Sequence, residues 1–185
     1  SGKNKILEVA SRLIGKELPE DTFLVLNSGR YEFQNKGIDL FIDAVGELKN
    51  RKEKRELVAI IAVPAGAFSP LPQLKENNDQ VIEGRDKFVT HLFNNMEQDQ
   101  VLNRIKSAGI TNNPDQNTHI IFVPCYLNGR DGVFQLDYYH FLSAMDYTVF
   151  PSYYEPWGYT PLESAAFGIP TLTTKLAGFG KWVID

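Results

Sequence analysis

Three stretches constrain the fold more than anything else in the chain: "TFLVLNSG" (22–29), "ELVAIIAVPA" (56–65) and "HIIFVPC" (119–125). Each is an almost unbroken apolar run rich in β-branched residues, with no alternation that would leave one face for water. Strands of this kind are stable only when both faces are covered, as in a parallel sheet whose crossover helices lie above and below it. The intervening segments have helical period. Ile6, Leu7, Ala10, Leu13 and Ile14 mark a helix over 5–17, and "KGIDLFIDAVGELKNRKEK" predicts another over 36–54. A long helix is expected over 86–107, with Phe88, Leu92, Phe93, Met96, Val101 and Leu102 inward. Further helices are expected near 137–146, from about 161 and after Phe179, with strands at "YTVFPS" and "PTLTT". Alternating strands and helices with right-handed crossovers define an α/β fold, a doubly wound open parallel sheet in three layers (α/β/α).

Composition sets outer bounds. With 43% hydrophobic residues over 185 positions, one domain with an adequate core is expected. The 23 acidic against 19 basic side chains give a net charge of −4, which argues against a nucleic-acid partner, since backbone binding needs clustered Lys and Arg. No apolar run reaches the roughly 20 residues of a membrane span, and no leader pattern opens the chain, so no membrane partner and a cytoplasmic location are expected. Cys125 has no second thiol to pair with, and His91, His119 and His140 lack metal-ligand spacing. The leading Ser-Gly reads as a cloning scar, and "GFGKWVID" stops as a helix begins; residues 1–185 are expected to be one domain of a longer chain.

Open α/β sheets bind ligands beyond the carboxyl ends of their strands, which directs attention to 28–37, 64–72, 125–137, 151–161 and 174–180. "NSGRYEFQNKG" places Arg30 and Lys36 on one loop that enters a helix near Gly37, where backbone amides already favour an anion such as a diphosphate. Two solvated cations in a polar loop would look the same. The helix opened by "QLDYYHF" has Asp137 as N-cap, and Tyr138 and Tyr139 lie in its first turn. There a tyrosine can stack on a flat heterocycle or simply straddle core and surface. In "EPWGYTPLE", Thr160 and Glu163 have the spacing of a capping box, with Pro161 at the first helical position, a structural role sufficient for Glu163. Glu155 has no such role. It lies just past a strand, where its carboxylate can accept from hydroxyls, Trp157 and Tyr159 can wall a sugar, and Gly158 permits close backbone approach. Acidic acceptors, amide donors and aromatic walls together suit a nucleotide sugar.

"GRYEFQNKG", "LDYYHF" and "VFPSYYEPWGYTPLESAAFGIPTLTTKLAGFGKW" resemble the second nucleotide-binding half of eukaryotic-type, UDP-glucose-using glycogen synthases, retaining glycosyltransferases with two Rossmann-like domains (GT-B). The resemblance is close over about a third of the chain. It implies that Arg30, Lys36 and Glu155 form the catalytic set: the two cations on the donor diphosphate, the carboxylate on glucose hydroxyls. It also implies Glu163 on ribose, Tyr138 on uracil, and the amides of Trp157, Gly158, Tyr159 and Thr160 along the sugar and distal phosphate. No metal and no cofactor beyond the UDP-glucose donor are implied. Expected partners are the nucleotide sugar, a glucan acceptor and an N-terminal Rossmann domain of the same chain, without which this segment is expected to be inactive; a homo-oligomer of the full-length protein is compatible with the resemblance. ADP-glucose as donor, another acceptor, and a noncatalytic nucleotide-sugar-binding module are the alternatives. Residues 66–87 match no motif, and the arginine-rich helix by which eukaryotic members sense a sugar phosphate is absent from the sequence.

Overall fold

A computed structural model describes residues 1–52 and 55–184. Helix α1 (Gly2–Ile14) is capped by the Ser1 hydroxyl, which accepts from the Asn4 amide, and is stopped by Gly15 in the left-handed region (φ 86°). It runs three residues ahead of the predicted span because both caps lie earlier than the apolar pattern alone indicates. The sheet comprises β1 (Phe23–Ser28), β2 (Leu57–Ala62), β5 (Thr118–Val123), β6 (Tyr147–Phe150) and β7 (Thr171–Thr173) in the order β5-β2-β1-β6-β7, every pair parallel. β2 and β5 are buried at all six positions, as their unbroken apolar runs require. The expected α/β fold with a doubly wound parallel sheet is what the chain adopts.

Helix α2 (Ile38–Leu48) packs on α3 (Gln100–Ser107), and α1 packs on α4 (Tyr138–Ser143). With right-handed crossovers these pairs cover opposite faces, because the chain steps outward from β1 in one direction to β2 and β5, then in the other to β6 and β7. Helix α5 (Tyr159–Ala166) joins β6 to β7, and α6 (Gly178–Ile184) follows β7. The predicted helix over 36–54 is shorter: α2 ends at Leu48, and residues 53 and 54 lie outside those described. Among the described residues no helix is long and apolar enough to cross a membrane.

The long helix expected over 86–107 does not form. Residues Gly84–Phe88 make a 3-10 turn, and β4 (His91–Leu92) pairs antiparallel with β3 (Ser69–Pro70). Val89 bridges Phe122 of β5 in parallel, and the Thr90 amide donates to Phe122 O. Two β-branched residues thereby take extended pairing at the sheet margin, which outweighs the weak helical preference of their neighbours. Asn95 adopts φ 60°, and Asp99 caps α3 by accepting from the Leu102 amide, so only the last third of the predicted span is helical.

Candidate functional site

The strand order reverses between β1 and β6, and the loops leaving these two strands face each other there, at the topological switch point where open α/β sheets take their ligands. Their approach is very close. Gly37 adopts φ 67°, and a Cβ at this position would overlap Pro151 O, so only glycine lets the first loop pass. The Tyr153 amide donates to Asn35 O at 2.8 Å, and the Gly178 amide to Glu155 O at 2.9 Å, tying the second loop to the first and to α6. The result is a Lys36–Glu155 ion pair in which the side chains are only 15% and 19% exposed.

Beside the pair opens a cavity of about 510 Å³ over the carboxyl ends of β1, β2 and β5, lined among others by Ser28, Arg30, Tyr126, Asn128, Tyr138 and Thr160. Arg30 borders it with a side chain 78% exposed and a 3.2 Å contact to Glu32, so its guanidinium is free to turn towards a ligand. Tyr138 is more enclosed than a simple surface ring. Its hydroxyl lies 2.8 Å from Ser28 Oγ, and burial pushes its pKa up to about 12. Cys125 also lines the cavity. Burial first, then the Asp131 carboxylate, raise its thiol to about 12, so at neutral pH it is protonated and a poor nucleophile.

Tyr126 and Asn128 were not singled out by sequence reasoning. Tyr126 is 75% exposed on the cavity wall, and the signal for it was position alone, in the segment that directly follows β5.

Two expectations are corrected around the Trp-Gly-Tyr bend. Thr160 does not cap and Pro161 is not the first helical residue. Helix α5 starts at Tyr159 behind Gly158, whose φ of 92° turns the chain into the helix and which offers no side-chain cap. There is therefore no Thr160–Glu163 capping box. Glu163 lies inside the helix, half-buried, close enough to Tyr138 for its charge to raise the tyrosine pKa further. The amides of Tyr159 and Thr160, left uncapped, are oriented as donors at the start of a helix. Trp157 does not wall the cleft either. Its indole packs against Phe179 and Trp182 of α6, with ring centroids 6.3 Å away in both cases. Tyr159 is exposed, and Thr160 lines the cavity.

Among the described residues, His91, Cys125 and Asp131 bring donor atoms within 4.8 Å of one another. The side chains of His91 and Asp131 are already engaged in building the loop. His91 Nδ1 meets Thr90 Oγ1, His91 Nε2 meets Asp131 O, and the Asp131 carboxylate accepts from the amides of Val133, Phe134 and Gln135.

Fold and cleft together define a doubly wound α/β domain whose switch point holds paired cationic and acidic side chains beside a cavity. A family model described as Glycogen synthase matches residues 83–185. The chain belongs to the glycogen synthase family. It is 33% identical to a Glycogen [starch] synthase of Neurospora crassa, over 89% of this chain and 32% of that protein. It is 30% identical to Glycogen [starch] synthase isoform 2 of Saccharomyces cerevisiae, over 90% of this chain and 33% of that protein. The chain thus spans about a third of the length of the curated relatives it matches. Among solved structures, the C-terminal domain of a Glycosyl Transferase Group 1 Family Protein (LpcC) from Francisella tularensis superposes with a TM-score of 0.49 at 18% identity, covering 95% of this chain and 69% of that one.

Proposed function

We propose that this chain is the donor-binding half of a GT-B glycosyltransferase that moves glucose from UDP-glucose to the end of an α-1,4-glucan with retention, as in a glycogen synthase. The reading is carried by one observation: Lys36 and Glu155, from loops after different strands, meet at the switch point, where Ser28 and Thr160 adjoin both this pair and a cavity of about 510 Å³ bordered by Arg30. In this reading Arg30 and Lys36 neutralise the charge that grows on the departing diphosphate, and the amides of Tyr159 and Thr160 hold its distal phosphate. These fixed donors cost no reorganisation as the glycosidic bond to the nucleotide breaks. Glu155 accepts from glucose hydroxyls, Glu163 from ribose, and Tyr138 with Tyr126 flanks the base. The two glutamates bind and do not form a general acid and base couple. The two cations supply the neutralisation a metal would otherwise give.

An N-terminal Rossmann domain closes the cleft and brings the glucan, and the protein works in the cytoplasm. Calorimetric titration of the full chain with UDP, ADP and their glucose conjugates, together with glucosyl transfer to glycogen, tests the reading. UDP bound at least about tenfold more tightly than ADP, with transfer from UDP-glucose, supports it. Tighter ADP binding moves the donor to ADP-glucose, and donor binding without transfer leaves a binding module.

A further inference from the structure

Behind the Lys36–Glu155 pair lies a second, enclosed chamber of about 10 Å³, bordered by Asn27, Ser28, Lys36, Glu155, Thr160 and Thr173 among others. That is the room of one water molecule and far too little for a pyranose. Two of these bordering residues carry a buried polar atom with no hydrogen-bond partner among the described residues: Asn27 Oδ1 and Thr173 Oγ1. Asn27 is 1% exposed, and its amide orientation is fixed because Nδ2 donates to Val149 O at 2.9 Å. A flipped amide would set oxygen against oxygen, so the acceptor must be the atom left over. Buried acceptors in native proteins find a partner, and a polar chamber of this size finds it in water.

We propose that this chamber binds one ordered water, held between Asn27 Oδ1 of β1 and Thr173 Oγ1 of β7, and that through it both residues position the Lys36 ammonium against Glu155. A lysine ammonium carries three donors on a flexible four-carbon stem, and the Glu155 carboxylate engages only part of that capacity. The water supplies a second fixed point. It donates to Asn27 Oδ1, accepts from the ammonium, and bonds the Thr173 hydroxyl, giving it the three partners typical of buried water. The carboxyl ends of β1, β6 and β7 are then linked through one site, and the ammonium is aimed before the donor arrives. Asn27 and Thr173 are positioning residues here, and their effect on rate rests on the proposed role of Lys36 in glucosyl transfer.

The test joins a crystal structure of the ligand-free full chain with steady-state transfer kinetics. A water within hydrogen-bond distance of Asn27 Oδ1 and Thr173 Oγ1 is expected, and a dry chamber overturns the proposal whether or not the protein transfers glucose. In kinetics, Thr173→Val and Asn27→Leu are each expected to lower kcat roughly tenfold while KM for the donor changes less than about twofold, with Thr173→Ser recovering the loss. Unchanged kcat per folded molecule in Thr173→Val, which keeps the side-chain shape and reads the site even if Asn27→Leu fails to fold, also overturns it. Wild-type protein without transfer would refute the proposed activity alone, since the water is read separately.

Discussion

The sheet carries a lysine–glutamate pair at each end, and the two are built differently. At the amino ends of the strands, Lys16 Nζ lies 2.6 Å from Glu56 Oε1 and also donates to Gln116 O, while Glu56 Oε2 faces His119 Nε2 at 3.0 Å. Both oxygens of that carboxylate are engaged, and the partners come from the stretch after α1 and the starts of β2 and β5. At the carboxyl ends, Lys36 and Glu155 meet between loops beside a large cavity, and the chamber they line is also bordered by Asn27 and Thr173, each with a buried atom that has no partner among the described residues. The same chemistry thus serves two ends. One pair is integrated into the fold and leaves a ligand nothing to bind, and the other keeps capacity in reserve at the place where α/β sheets bind.

The sharpest way to break this contrast is to truncate each lysine–glutamate pair in turn. Lys36→Ala should lower glucosyl transfer by about 10²–10³-fold, the scale of losing one preorganised charge at a developing anion, and should also cost stability, because it leaves the largely buried Glu155 carboxylate without its cation. Glu56→Ala should cost stability alone. It strands Lys16 in a largely buried setting and should cost about 3 kcal/mol in denaturant unfolding, with transfer per folded molecule unaltered. If Glu56→Ala abolished transfer without destabilising, the division of roles would be wrong. Glu163→Gln comes next. With no capping box to preserve, stability should hold, while UDP affinity measured by titration should fall about tenfold if the carboxylate grips ribose.

The smallest effect is one of pH. His119 is 0% exposed, and burial lowers its pKa more than the Glu56 carboxylate raises it, so the folded chain prefers the neutral ring. The unfolded chain binds a proton near pH 6.5. Stability from this residue is therefore complete above about pH 6.5 and declines as pH falls below it, because there the unfolded state takes up more protons. Urea unfolding at about pH 7.5 and about pH 5 should show that loss, and His119→Gln should reduce it.

Much of the fold was legible because the parallel strands are buried on both faces and carry no competing pattern: the ends of β1, β2 and β5 lie within three residues of where the apolar runs put them. The segment before α3 was not, since Val89 and Thr90 take their geometry from β5, a partner some thirty residues away that local period cannot register. The meeting of Lys36 and Glu155 was foreseeable from the switch-point rule, and the structure brings them together. The fate of Trp157 was not, because it is set by Phe179 and Trp182 of α6. Asn27 and Thr173 stayed hidden because an unpartnered atom is a property of three-dimensional surroundings and leaves no mark on spacing.

The account depends on a diphosphate bridging the cation-bearing loop and the start of α5, and titration of the full chain with UDP and uridine tests that directly. Wild-type protein should bind UDP at least about 100-fold more tightly than uridine, and in Arg30→Ala/Lys36→Ala that gap should shrink to within about tenfold. UDP affinity unchanged in the double variant would contradict it.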